Sequence, residues 1–366
     1  MSIEELKEKN TIIREPRRVA YGNIRHKLED IIIIGLCTVI CGGEDYADME
    51  EFGVEREGWL REFLELPHGI PDSETFRRVL ERLDPQELSK CLTSWIEAER
   101  EDRAVIAIDG KTICGSGNKK HRPFHVISAY VAENQITLGE LTAEEKSNEI
   151  TAVPELLDLI DVENAIITAD AMSCQKKIAE KIAEKKADYV IGLKGNQPTL
   201  LEDVQLYFKA FNQEIPSYTT LDKGHGRLEK REYRLLTDVT WLGQAQEWKN
   251  LRSVGMVHTI VEENGTVREN TRYFITSLTD LREFSKVVRK HWSIENQLHW
   301  CLDVLFREDA SKIRKDNAPL NMNVLRKCAL SLLNQAKYAR LSKKKMMFKA
   351  SLNPQVLFDI LFPPKK

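Results

Sequence analysis

The stretch that decides the fold runs from residue 104 to residue 194. It reads AVIAID (104–109), FHVISAYVA (124–132), QITLGELTA (135–143), NEITAVPELLDLI (148–160), AIITAD (165–170), QKKIAEKIAEKKA (175–187) and DYVIGLK (188–194). The first three runs are β-rich and separated by short polar or glycine-containing links, so they predict three neighbouring strands. The fourth reads as a helix, AIITAD as a buried strand, the lysine-rich run as a second helix and DYVIGLK as a further strand. The order is β-β-β-α-β-α-β.

That order belongs to an RNase H-like core, an α/β fold whose mixed sheet is flanked by helices and whose first two catalytic acids come from the first and fourth strands. Both of those strands close on aspartate, Asp109 before Gly110 and Asp170 before Ala171. Strand-end aspartate is also a common turn former. Two of them, each ending an apolar run on neighbouring predicted strands, mark a pair.

A third acid comes from LREFSKVVRKHWSIENQLHWCLDVLFRED (281–309), read as one long helix. Leu281, Phe284, Val287, Val288, Ile294, Leu298, Cys301 and Leu305 recur at three- and four-residue spacing, the stripe of an amphipathic helix. Asp280 with Glu283 makes a capping start. Glu295 borders that stripe, with His291 and His299 one turn away on either side. Phosphodiester cleavage needs polarised phosphoryl oxygens, an activated nucleophile and a steadied leaving oxygen, which two divalent cations supply together. Mg²⁺ takes oxygen ligands and keeps several waters, so three carboxylates can hold a pair of ions, with Mn²⁺ as a substitute. Gly110 is expected to let the backbone and DNA approach closely.

Around this core the chain divides into five expected segments. Residues 1–100 read as a self-contained all-helical domain, with an apolar helix in HKLEDIIIIGLCTVICGG (26–43) and another helix in PDSETFRRVLERLD (71–84). A helix-turn-helix there is one option, since Thr75 to Leu83 carries three arginines. Residues 101–196 form the first part of the core. Residues 197–279 read as a β-rich insertion before the Glu-bearing helix, from KREYRLLTDVTWL, LRSVGMVHTIVEE and RENTRYFITSL. In it, KGHGR (223–227) is either a phosphate-gripping loop or a hairpin turn. Residues 280–340 close the core, and 341–366 read as a basic tail.

The net charge of −3 does not announce a nucleic-acid binder, yet Ser311 to Ala350 carries eleven basic residues against Asp316 alone. That segment reads either as a DNA contact or as a core helix followed by a solvated lysine tail. The seven cysteines form no CxxC pair, which argues against a disulfide framework and a structural zinc. The longest apolar run, Ile31 to Cys41, falls short of the roughly 20 residues that span a bilayer. The charged N-terminus lacks a signal-peptide core, so a cytoplasmic, nucleoid-associated protein is expected. A P-loop fails because its first glycine would fall on Val105, and Pro123 between His121 and His125 argues against a helical zinc pair.

AIDGKT (107–112), EKSNEITAVPELL (145–157), ITADAMSCQKKIAEKI (167–182), YVIGLKGNQ (189–197), KGHGRLEKREY (223–233), RYFITSL (272–278) and HWSIENQLHWCLDVLFREDASKIRK (291–315) together resemble the insertion-sequence DDE transposases that include the H-repeat-associated proteins. The resemblance runs from about residue 20 to residue 335. It implies Asp109, Asp170 and Glu295 as the metal-binding catalytic triad. It also implies cleavage and strand transfer at terminal inverted repeats, with double-stranded DNA as partner and a homo-oligomer on it. Lys111, Lys194, His225, Arg227, His291, Lys312, Arg314 and Lys315 are the expected DNA contacts. Related enzymes carry Tyr and Arg seven and four residues before the Glu and Lys seven after. Here Val288, His291 and Leu302 stand there, and His291 inherits the phosphate contact. The alternatives are a catalytically silent, transposase-derived DNA-binding protein and a nuclease without strand transfer.

Overall fold

The computed structural model describes residues 13–18, 24–96, 101–119, 121–143, 149–211, 213–224, 226–336, 338 and 341–362. Four longer helices come first, α1 (Leu28–Ile40), α2 (Tyr46–Glu55), α3 (Ser73–Arg82) and α4 (Pro85–Trp95), with a single helical turn, Glu57–Leu60, between α2 and α3. Their starts are fixed by side chains that satisfy orphan backbone N–H groups: Asp45 caps α2, Asp72 caps α3, and Asp84 caps α4 ahead of Pro85. Gly42, at φ +95°, ends the α1 region in a left-handed turn.

The predicted β-β-β-α-β-α-β order is the observed one. β1 (Val105–Thr112), β2 (His125–Val131) and β3 (Ile136–Ala143) are followed by α5 (Glu149–Leu159), β4 (Ile166–Ala169), α6 (Lys176–Glu184) and β5 (Asp188–Leu193). β1 pairs antiparallel with β2, and β2 with β3, while β1–β4 and β4–β5 are parallel. This is the RNase H-like arrangement.

The stretch 197–279 differs from the insertion read in the sequence. It opens with a helix, α7 (Pro198–Phe211), whose Leu200, Val204 and Phe208 recur every fourth residue and are buried. Its strands β6 (Ser217–Gly224), β7 (Arg227–Leu236), β8 (Ser253–Glu263) and β9 (Thr266–Thr276) then extend the core sheet, because β9 pairs antiparallel with β5. The whole sheet has nine strands in the order β3-β2-β1-β4-β5-β9-β8-β7-β6. The KGHGR motif is the β6–β7 hairpin, with Gly224 opposite Arg227 and Gly226 at φ +75°.

The expected single helix over 281–309 is broken. α8 (Leu281–His291) leads into a π-helical turn, Ile294–His299, then α9 (Trp300–Val304), and the chain leaves helical geometry at Arg307 in the left-handed region. α10 (Ala318–Gln335) follows. The segment read as a basic tail forms two further helices, α11 (Lys343–Leu352) and α12 (Pro354–Leu361), with Met346, Met347, Val356, Leu357 and Ile360 buried. Among the described residues no helix is long and apolar enough to cross a membrane.

Strand alternation sorts the side chains into two layers. Ile106, Ile108, Ile167 and Ile191 pack with Leu156, Ile178, Val204 and Phe208 of α5, α6 and α7 on one face. Val105, Ile166 and Val190 meet Phe284, Val287 and Val288 of α8 on the other. Further along that second face, Ala107, Tyr130 and Ile136 join a large helical core. It contains α1, α10, α11 and α12 together with Ile294 and Leu298 of the π turn. The N-terminal helices are therefore not self-contained, since an α1 so apolar needs a second apolar partner and finds it in α10.

Close contact between β8 and α8 depends on a missing side chain: a Cβ at Gly255 would sit 2.3 Å from the Phe284 ring. Gly255→Ala is expected to lower the unfolding free energy in urea by about 1–3 kcal/mol through overpacking. Gly58→Ala, where nothing lies within 4 Å, should leave it unchanged or raise it by up to about 1 kcal/mol. Equal losses for the two variants would refute the packing argument.

Candidate active site

Asp109 lies within β1, and Asp170 immediately follows β4. The parallel register pairs Ile108 with Ala169, so the next residues, Asp109 and Asp170, fall side by side. Alternation carries both toward the α8 face, as it does Val105 and Ala107 on β1 and Ile166 on β4. Asp170 also caps the short turn after β4, accepting from the Met172 N–H at 2.9 Å. That turn is braced by the residues after β5. Asn196 Nδ2 donates to the Ala171 carbonyl at 2.6 Å, and Gln197 Nε2 to the Cys174 carbonyl at 2.9 Å.

Glu295 arrives from the π turn. A π segment winds about 4.4 residues per turn, so residues four apart lie nearly above one another. Ile294 and Leu298 thus drop into the helical core while Glu295 and His299 share the adjoining edge. His299 Nδ1 is 3.4 Å from Glu295 Oε2 and 3.7 Å from Asp109 Oδ2. Asp109, Glu295 and His299 each offer a ligand atom within 4.8 Å of the others. This is an acidic group of the kind that holds a divalent cation.

The charges here are coupled. Burial, and then the Glu295 carboxylate beside it, push Asp109 up to about 8. Contact with the His299 ring holds Glu295 down, at about 2. The pair thus keeps one proton. His291 is lowered by burial, against the pull of Asp170 and Glu295, and its Nδ1 has no hydrogen-bond partner among the described residues. It is a neutral imidazole with a free polar atom.

Gly110 does not open the site toward DNA as expected. It faces the opposite layer, where a Cβ would lie 2.4 Å from His125 Nε2 and 2.6 Å from Glu149 Oε1. Those two buried groups bond each other at 2.6 Å, and Thr112 holds His125 Nδ1 at 3.0 Å.

The expected DNA contacts separate into two sets. Lys111 is largely buried, its Nζ 2.8 Å from Asp303, 3.1 Å from Glu308 and 3.5 Å from Asp309. Burial works against its charge, but those carboxylates hold its pKa above the ordinary lysine value. Arg314 donates to the Gly115 carbonyl at 3.0 Å, and Lys315 bridges to Glu81 at 2.8 Å. These three ties join β1, the short turn after it and α3 to the strap between α9 and α10, so Lys111 in particular is withdrawn from solvent. Lys312 is exposed. His225 lies outside the described residues.

Lys194, Arg227 and His291 border open clefts. One, of about 440 Å³, lies beside Asp170 and is lined by Lys194, Arg272, Tyr273, His291 and Trp292. A second, of about 460 Å³, runs along β7, β8 and β9 past Arg227, Arg231, Arg268 and Arg289. Arg272 and Trp292 line both, with the guanidinium 4.6 Å over the indole ring. Arg231, Arg268, Arg272 and Arg289 escaped the sequence reading. The signal was present: Arg227, Glu229 and Arg231 on β7, and Arg268, Asn270 and Arg272 on β9, alternate on one strand face.

Residues 100–332 match the family described as transposase DDE domain, and residues 11–96 match the one described as DDE_Tnp_1-associated. Several relatives are similar over 99% of this chain, two of them as follows. "Putative transposase YncI" of Escherichia coli O157:H7 is 38% identical with 95% of its own length covered, and "H repeat-associated putative transposase YhhI" of Escherichia coli strain K12 is 36% identical with 98% covered. Among solved structures, a piggyBac transposase synaptic complex with hairpin DNA aligns over the whole chain and 80% of its own at a TM-score of 0.43 and 11% identity, too slight a likeness to argue from. The chain belongs to the DDE transposase family.

The proton on Asp109 makes a pH prediction. From its ordinary value of 3.8 up to about 8, the folded state keeps a proton that the unfolded state has lost, so stability falls as pH rises through that window. In EDTA, thermal scans between pH 5 and 8 should show the wild-type Tm declining relative to that of Asp109→Asn. Parallel curves for the two proteins would remove the shared proton from the site.

Proposed function

We propose that this chain is a metal-dependent DNA transposase that cleaves at, and transfers strands from, the terminal inverted repeats of an insertion sequence. The observation that carries the proposal is the parallel β1–β4 register, which sets Asp109 beside Asp170, with Glu295 meeting Asp109 from the π turn. In this reading Asp109, Asp170 and Glu295 are the cation ligands. A bound pair of Mg²⁺ ions, or Mn²⁺ in their place, would supply Lewis acidity for phosphoryl transfer.

The donor set suits such a pair: three carboxylates at a half-open site, one of them raised by burial and by the charge of its neighbour, both of which a bound cation would offset. Asp109 gives up its proton when the site is loaded, and the strands hold both aspartates in place. His291 offers its unpartnered Nδ1 to a phosphate beside Asp170, in the position where related enzymes carry Arg. Lys194 and Arg272 neutralise the same backbone, while Arg227 and the β7–β9 arginines receive duplex farther from the cut. Lys111 acts inside the protein, holding the strap that follows Glu295. Lys312, exposed on the strap beside the exposed Arg314 and Lys315, is a further cation for DNA, and paired ends require an oligomer on the DNA.

The test is a labelled duplex bearing the gene's own flanking inverted repeats, incubated with Mg²⁺ or EDTA. Wild type should cut only with the ion, and Asp109→Asn, Asp170→Asn and Glu295→Gln should each lose about 10³-fold or more in rate while still shifting the duplex. Normal cutting by any of the three overturns the triad. Binding without cutting by the wild type as well favours the silent DNA-binding reading.

A further inference from the structure

His299 belongs to none of the roles above, yet it is the group closest to the junction of two of the acids. Its side chain is 7% exposed, so it cannot be a surface contact for DNA. Its Nε2 has no partner among the described residues, and its Nδ1 faces Asp109 and Glu295 together. The ring's polar neighbours are thus those two carboxylates.

The distances fit a ligand set as well as they fit a loose ion pair. A charge-assisted hydrogen bond closes to about 2.7–2.9 Å and selects one acceptor. Here the separations are 3.4 Å and 3.7 Å, with the nitrogen shared between two oxygens. Donors about 2.0–2.2 Å from one ion lie roughly 2.8–3.1 Å apart along the edges of an octahedron and roughly 3.3–3.6 Å apart along those of a tetrahedron, so the 3.4 Å separation already fits and the 3.7 Å one needs only a small closure. The π turn makes the arrangement, because it sets Glu295 and His299 on one edge without removing Ile294 and Leu298 from the core.

We propose that His299, through Nδ1, is a ligand of the cation position it shares with Asp109 and Glu295. The inference rests on the reading that these acids hold metal, and it adds a nitrogen donor to one of the two positions. Nitrogen ligands favour first-row transition ions over Mg²⁺, which is an oxygen-seeking ion. The two positions are therefore unequal: the one between Asp109 and Asp170 is served by carboxylates, and the one at His299 prefers a transition ion.

The test uses the full-length chain without DNA, titrated with MnCl₂, and pulsed electron paramagnetic resonance to detect directly bound imidazole nitrogen. Wild type is expected to show one such coupling. His299→Gln should lose it and bind Mn²⁺ about 10–100-fold more weakly, with Mg²⁺ affinity changed by less than about 3-fold. His299 is buried, so a second arm guards against a folding defect: His291→Gln must keep the coupling. Mn²⁺ bound to the wild type without a nitrogen coupling, or a coupling that survives His299→Gln or vanishes in His291→Gln, overturns the inference and leaves the carboxylate reading standing. Mn²⁺ binding that is absent from the wild type, or unchanged in Glu295→Gln, overturns both.

Discussion

Two aspartates side by side repel, and the architecture is arranged around holding them there. Parallel pairing of β1 with β4 is the constraint: it fixes Asp109 and Asp170 at one level on one face, where side-chain rotation alone cannot separate them. The core strands β1, β4 and β5, packed on both faces, resist the movement that would relieve the repulsion. Burial, and then the Glu295 carboxylate, raise the Asp109 pKa well beyond what Asp170 alone contributes, so the two aspartates are held together around a carboxyl that keeps its proton.

The third acid is positioned by the chain that follows it as well as by its own turn. Beyond α9 the strap doubles back, and Glu308 is completely buried at its centre. It accepts from Asn323 at 2.8 Å and lies 3.5 Å from Arg326 of α10, while Lys111 reaches it from β1. Against the cost of burial, Lys111 and Arg326 hold its carboxyl below the usual range. Removing one member of such a cluster leaves an uncompensated charge, so the end of β1 and the strap move as one body. Asn196 and Gln197 act similarly on the Asp170 turn with neutral amides. Each acid thus has a brace from a different element.

Much of this was legible in the sequence, for identifiable reasons. Strands β1 to β5 declared themselves because buried strands in a mixed sheet read as apolar runs between turn signals, and Asp109 and Asp170 stood out against them. The start of α8 was legible in Asp280 and its apolar stripe. The π turn was not, because one extra residue per turn leaves no periodicity that a window would detect. β6 was missed because SYTTLDKG, at the sheet's edge, is mostly exposed and buries little apolar surface. The basic segment misled because a count of lysines and arginines ignores their partners. Arg326 and Lys327 are both nearly buried, the first beside Glu308 and the second on Ser128 and Glu140.

The same blindness to partners explains the reading of the first hundred residues as self-contained. α1 is buried along nearly its whole length, and no short helical hairpin can cover a helix on all sides. The missing cover comes from the far end of the chain: α10 lies along α1, Phe63 packs edge-on against Phe358 and Phe362, and Arg56 donates to the Ser351 carbonyl at 2.6 Å. Ile294 and Leu298 are part of that core, so the turn that aims Glu295 is seated on a layer built jointly by the two ends of the chain. The site thus depends on segments that never touch its acids. A truncation at either end changes what the π turn packs against, although Asp109, Asp170 and Glu295 all remain in the sequence.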